Sequence, residues 1–230
     1  MAHPRASSVG DEAAFTSIGH MMRWYDLFSR VYDFSVERVY RGYREPIARA
    51  LRLQPGDAVL DLACGTGPNH PYLVKQVGPR GSVFGVDVSA GMLARAQRQA
   101  SRHGWQNVHL LECNAEQLDR DQLCEAANHE LRLDGVVVTL GLSVIPDWQR
   151  VLEHTFSLLA PGGRYVVFDI FTQGWVPQTW VVQRLAQADM SRESWKLLDA
   201  LSENFSFEFL RGSPHIHGGV PFLASGTKKG

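Results

Sequence analysis

Apolar positions at three- and four-residue spacing mark the first structured part of the chain. Phe28, Tyr32, Val36, Val39, Tyr43, Ile47 and Leu51 give one predicted helix an apolar face. Residues 1–18 before it are small and polar and read as a loose tail. Pro55-Gly56-Asp57 is turn chemistry. Beyond it, short apolar runs alternate with helical stretches. Ala58–Leu62, Ser82–Asp87, Val108–Glu112, Gly135–Thr139 and Arg164–Ile170 read as strands. Pro68, just after Gly67, suits the first turn of a helix. Ser89 suits the cap of a helix running to about Arg102, and another opens near Asp147 and ends at Pro161-Gly162-Gly163. Residues 171–204 read helical, with Trp175, Trp180 and Trp195 scattered through them. Phe205–Leu210 and Val220–Thr227 read as two closing strands joined by a nine-residue loop. This alternation predicts an α/β fold with a doubly wound, seven-stranded, mainly parallel sheet and one antiparallel strand. A single domain is expected over residues 19–228.

Composition narrows the function classes. The 230 residues are 44% hydrophobic and 20% charged, with a net charge of −1, which excludes dominant disorder. No basic excess is present to release counterions from nucleic acid. The longest mostly apolar stretch, Val136 to Ile145, is half of the ~20 residues that span a bilayer. Cys64, Cys113 and Cys124 form no CxxC pair, which argues against a disulfide framework. Met1 to Ala14 lacks the apolar region of a secretory signal, so the expected compartment is the cytoplasm. The nine histidines include no HxxxH or HExxH, and no metal site is expected.

The most informative segment is Asp61-Leu62-Ala63-Cys64-Gly65-Thr66-Gly67-Pro68-Asn69, between a predicted strand and a predicted helix. Glycines there let the backbone approach a ligand closely. Asp87 ends the next strand, 20 residues after Gly67, at the distance expected of a carboxylate that accepts both ribose hydroxyls of an adenosine cofactor. The dinucleotide fingerprint needs a third glycine where His70 stands, which weakens an NAD or FAD reading. No Walker pattern is present.

These residues resemble motif I of the class I S-adenosylmethionine-dependent methyltransferases, a Rossmann-like fold. Gly85-Val86-Asp87-Val88-Ser89-Ala90-Gly91-Met92-Leu93 resembles the second motif of that family. Cys113-Asn114-Ala115-Glu116 resembles its adenine-contacting segment, and Leu158-Leu159-Ala160-Pro161-Gly162-Gly163 its turn before strand five. The Tyr-Asp pairs at 25–26 and 32–33 and the late Gly218-Gly219-Val220 place the resemblance nearest the ubiquinone/menaquinone C-methyltransferases and bacterial phospholipid N-methyltransferases. Asn114 stands where the family often has Asp, and Ala63 where it commonly has Gly.

The resemblance implies S-adenosyl-L-methionine as cofactor. Asp61 would orient the loop and the methionine ammonium, and Ala63, Gly65, Gly67 and Asn69 would line the methionine and ribose. Asp87 would hold the ribose diol. Val88 or Met92 would pack on adenine, and Asn114 and Ala115 would meet its edge. Leu140 and Gly141 would flank the reactive methyl. Residues 19–54 would form a helical lid, from which Tyr25 or Tyr32 would reach the cofactor or orient substrate. In the loop at 212–219, His215 and His217 are the candidate bases, His217 foremost. His70 is expected to be a partly exposed helix residue.

Residues 171–204 would shape the substrate pocket. Trp175, Val176, Trp180, Val181, Val182 and Leu185 supply an apolar wall for a quinone precursor or lipid-like acceptor. Arg41 and Arg44 are candidates for lipid headgroups in a peripheral membrane contact. A homodimer is a default expectation. The competing readings are N- or O-methylation of a polar metabolite, a nucleotide-binding oxidoreductase, and a non-catalytic cofactor-binding protein.

Overall fold

The computed structural model describes residues 38–172, 188–211 and 218–230. The predicted tail, Tyr25, Tyr32, Trp175 to Leu185, His215 and His217 lie outside them.

Helix α1 covers residues 38–50. It is followed by β1 (Ala58–Leu62), α2 (His70–Val77), β2 (Ser82–Asp87), α3 (Ala90–His103), β3 (Val108–Glu112) and α4 (Arg120–Ala127). Then come β4 (Leu133–Thr139), α5 (Trp148–Leu158), β5 (Arg164–Phe171), α6 (Ser194–Leu201), β6 (Glu203–Phe209) and β7 (Val220–Thr227). The seven strands form one sheet in the order β3-β2-β1-β4-β5-β7-β6. The first five are parallel, and β7 runs antiparallel to both β5 and β6. Strand order reverses between β1 and β4, which opens a crevice at their carboxyl ends.

Helices cover both faces, so β1 and β5 are buried along their whole length. One face packs Leu60, Val136, Val167 and Phe222 against Leu123 of α4, Leu152 of α5 and Leu198 of α6. The other packs Val59, Val137, Val166 and Phe168 against Ile47 of α1, Leu51 just after it, and Leu73 and Val77 of α2. Burying each such side chain contributes about 1.5–3 kcal/mol. The Tyr40 and Tyr43 rings lie 5.9 and 5.2 Å from that of Phe168. The Arg164 guanidinium donates to the Ala50 carbonyl at the end of α1, where a cation also suits the helix dipole.

The structure departs from the sequence reading in several places. Val39 is 37% exposed and Tyr40 is buried in its stead, because the stripe that faces the sheet runs through Tyr40, Arg44, Ile47 and Leu51. Helix α2 starts at His70 rather than at Pro68, and Pro71 holds the early position that suits proline. Helix α4 was not anticipated, although its Asp119–Gln122 capping box is visible in the sequence. Strand β4 begins two residues early, at Leu133. Among the described residues of the stretch read as helical, Ser194–Leu201 forms α6, Phe171 and Glu203 belong to strands, and residues 173–187 lie outside the description. Trp195 packs into an aromatic cluster with Phe171, Phe207 and Phe222 at centroid distances of 4.7, 4.9 and 4.8 Å.

Candidate functional site

The loop from β1 to α2 is a series of tight turns. The Cys64 amide donates to the Val86 carbonyl, that of Gly67 to Cys64, and that of His70 to Gly67, each at 3.0 Å. Gly65 has φ of +56°, and a Cβ there would meet nothing within 4 Å. The backbone is therefore open to a ligand at this point. The Gly65 amide donates to Asp87 Oδ2 and the Ser89 amide to Asp87 Oδ1, both at 2.9 Å. Burial raises the Asp87 carboxyl, and these N–H bonds oppose the rise. Each oxygen retains a lone pair, which suits a pair of hydroxyl donors. Val88 beside it is 45% exposed, while Met92 is buried on the first turn of α3, where Ser89 caps its amide. Asn114 is exposed, with its Oδ1 accepting from the Glu116 amide, and Ala115 is buried.

Beneath the loop lies a buried polar cluster. Asp61 is fully buried, and its Oδ1 accepts from Asn69 Nδ2 at 2.8 Å. Asn69 Nδ2 also donates to Thr139 Oγ1 at 3.1 Å, and Asn69 Oδ1 accepts from Arg44 Nη1 at 2.8 Å. Asn69 stands at the N-cap of α2 but makes no capping bond, because its amide is turned inward to these three partners. Asp61 Oδ2 has no hydrogen-bond partner among the described residues, nor does either ring nitrogen of His70. His70 Nε2 lies 3.5 Å from that oxygen. Burial pushes Asp61 up to about 7 and His70 down to about 4, so the imidazole is neutral near pH 7. The histidine also explains two glycines. A Cβ on Gly67 would lie 2.4 Å from His70 Nδ1, and one on Gly85 3.0 Å from His70 Nε2.

Beyond the crevice, Leu140 takes φ of +57° as the chain leaves β4, and its amide donates to the Phe168 carbonyl at 2.8 Å. A Cβ on Gly141 would sit 3.1 Å from that of Ala63, so the loops after β1 and β4 touch. Asp169 on β5 is buried. Its Oδ2 accepts from the Ser143 amide and its Oδ1 from the Ile170 amide, both at 2.9 Å. Arg192 Nη1 donates to the carbonyls of Leu142 and Ile145, and the Asp189 amide donates to the Ser143 carbonyl at 2.7 Å. The segment before α6 is thereby clamped to the loop after β4.

The predicted loop residues Ala63, Gly65, Gly67 and Asn69, together with Asp61, Asp87, Leu140 and Gly141, gather around the carboxyl ends of β1, β2 and β4. Two readings are corrected. His70 is buried, not partly exposed, because the two glycines leave room for its ring. Arg44 is 6% exposed and bonded to Asn69, so it is not turned to lipid, while Arg41 is exposed. Thr139, Asp169 and Arg192 were missed. Nothing local marks them, since each acts through a partner distant in sequence.

This arrangement can be set beside known proteins. The profile of the ubiE/COQ5 methyltransferase family matches residues 8–180. The chain belongs to that family. A demethylmenaquinone methyltransferase of Geobacillus kaustophilus is 32% identical over 145 residues, 63% of this chain. The matched stretch spans 57% of that relative's length. Among solved structures, a Haemonchus contortus phosphoethanolamine N-methyltransferase superposes with a TM-score of 0.69 at 12% identity, over 90% of this chain and 60% of the other. The cyclase SpnF superposes at 0.68 with 15% identity, over 91% and 95%. These two likenesses bear on the fold, which is that of a seven-stranded Rossmann-like methyltransferase.

Proposed function

We propose that this protein transfers the methyl group of S-adenosyl-L-methionine to an apolar acceptor, a quinone precursor. The observation that carries the reading is the Asp87 carboxylate, held by the Gly65 and Ser89 amides beside an open glycine turn, in a chain of the ubiE/COQ5 family. The cofactor supplies an electrophilic methyl on a sulfonium, so the protein's tasks are positioning and exclusion of water.

The residues fit that group. Asp87 would accept the ribose hydroxyls, and Gly65 would leave room for the methionine and ribose. Exposed Val88 offers an apolar surface for adenine, with Asn114 and Ala115 at its edge. Asp61 is too deeply buried to meet the ammonium directly, and would act through the loop and through its charge. Asn69 would likewise be a brace rather than a ligand. Leu140 and Gly141 would flank the methyl. His217 or His215 would take the acceptor's proton, and Tyr25 and Tyr32 would close over the cofactor. The demethylmenaquinone methyltransferase relative supports a quinone acceptor.

The test is transfer of label from methyl-tritiated S-adenosylmethionine to a reduced demethylated naphthoquinone, with a polar amine as the rival acceptor. Label in the quinone fraction is expected, and His217→Gln should lower the rate and change its pH profile. Label confined to the amine would overturn the acceptor class. Binding of S-adenosylhomocysteine without transfer to any acceptor would leave a cofactor-binding protein of another activity.

A further inference from the structure

Arg44 belongs to α1, on the opposite side of the chain's first turn from the glycine loop. Yet its guanidinium is buried, and it reaches the same asparagine that holds the Asp61 carboxylate. Four elements meet at Asn69: α1 through Arg44, β1 through Asp61, β4 through Thr139, and α2, which Asn69 itself begins. A buried arginine is costly to desolvate unless it is bonded, so the placement demands a reason. Packing alone gives none, because Ile47, Ala48 and Leu51 already supply the apolar contact of α1.

We propose that Arg44 is a positioning residue of the cofactor site, a relay through which docking of α1 sets the Asp61 carboxylate by way of Asn69. The proposal rests on the reading of the loop as an S-adenosylmethionine site. Without α1 in place, Asn69 loses the partner that fixes which edge of its amide faces Asp61. The carboxylate then loses its one hydrogen bond among the described residues and the Arg44 guanidinium that favours its charged form. Its remaining neighbours do not replace that guanidinium. Neutral His70 of α2, Asp87 of β2, the Cys64 thiol of the loop and the Thr139 hydroxyl of β4 offer it no positive charge. Formation of the anion beneath the loop is thereby tied to the packing of α1 against the sheet.

The experiment is calorimetric titration of the full chain with S-adenosylhomocysteine across about pH 5.5 to 9. Wild-type affinity should rise through neutrality as Asp61 ionises beneath the ligand's ammonium. In Arg44→Met, the rise should move about one pH unit upward, weakening binding at neutral pH by about fivefold. Arg44→Lys should return the midpoint toward wild type while binding stays weaker, because it keeps the charge but not the planar fork. Asn69→Ala breaks the relay without touching α1 and should reproduce the upward shift, which keeps the test open if Arg44→Met does not fold. A folded Arg44→Met or Asn69→Ala with wild-type midpoint and affinity would overturn the relay. Failure of the wild-type protein to bind would instead overturn the cofactor reading.

Discussion

Two buried carboxylates stand near the carboxyl ends of parallel strands, and they are treated very differently. Asp169 on β5 has both oxygens engaged by backbone amides, those of Ser143 and Ile170. Asp61 on β1 has one oxygen on Asn69, while among the described residues the other has no hydrogen-bond partner and lies 3.5 Å from the His70 imidazole, which has none either. Burial raises both, Asp169 to about 6 and Asp61 to about 7. A satisfied buried acid is an anchor. An orphaned one costs stability, and such groups persist where a ligand or a catalytic need retains them. The contrast separates the proposed cofactor end, kept under tension at Asp61, from the braced end at Asp169.

The largest effect should come from closing the cofactor end. Gly67→Ala places a methyl group 2.4 Å from the His70 ring at a φ of +79°. Calorimetry should find S-adenosylhomocysteine binding weakened by about a hundredfold or more, as expected when backbone in a ligand-hugging turn is displaced. Adding His70→Ala removes the clash but not the strained φ, so partial recovery in the double variant would assign the loss to the ring. Full binding by Gly67→Ala alone would break the contrast at its root.

Asp61→Asn sharpens the same point by splitting stability from function. Because the folded-state value lies above the ordinary 3.8 of an aspartate, the folded protein holds the extra proton, and its stability falls as pH rises from about 4 to about 7. His70 works the other way. Its folded value of about 4 lies below 6.5, so its contribution rises with pH over that window. With the first effect removed, the ligand-free variant should gain over wild type steadily up to pH 7, by up to roughly 4 kcal/mol in chemical denaturation. Cofactor affinity should fall meanwhile. A variant less stable than wild type at pH 8 would show that the carboxylate is structural.

The end braced by Asp169 and Arg192 should respond in the opposite pattern. Arg192→Ala removes bonds to the Leu142 and Ile145 carbonyls and leaves the segment before α6 tied to the loop after β4 through the Asp189 amide and the Ser143 carbonyl. A half-buried guanidinium bonded to backbone supports an expected loss of about 1–3 kcal/mol in thermal or denaturant unfolding. Turnover should drop while cofactor affinity changes by less than about twofold, since the site at Asp87 is untouched. Equal losses in cofactor binding and turnover would erase the distinction between the two ends.

The same contrast marks how far the sequence could be read. Five parallel strands, the glycine turn and Asp87 were legible because each rests on local signals: apolar runs, paired glycines, and a carboxylate at a strand end. Ser89 was legible as a cap for the same reason, and its hydroxyl does accept from the Met92 amide. Arg44 was misread because a charged residue on a helix is ordinarily solvated, and only the fold reveals the asparagine that receives it. His70 was misread because the vacancy it fills is made by Gly85 of another strand. The clamp of Asp169 and Arg192 is invisible for a related reason. Its partners are backbone groups, which leave no mark in side-chain identity.

Ala63 offers the finest test, because here sequence and conformation disagree. It stands where the resembling family commonly carries glycine, and its φ is +51°, in the left-handed region that penalises a side chain. The strain for an L-residue there is about 1–2 kcal/mol, set against a smaller entropic cost of introducing glycine. Ala63→Gly should therefore stabilise the ligand-free protein by a net of about 0.5–1 kcal/mol in denaturant unfolding. The methyl group also has a positive use. It would be only 3.1 Å from a Cβ on Gly141, so it packs the loop after β1 against the loop after β4. If that contact holds the two loops in register for the cofactor, the more stable glycine variant should bind S-adenosylhomocysteine slightly less well. Gain in both stability and affinity would mean that the alanine is simply tolerated, and that tension at the cofactor end resides in Asp61 and His70 alone.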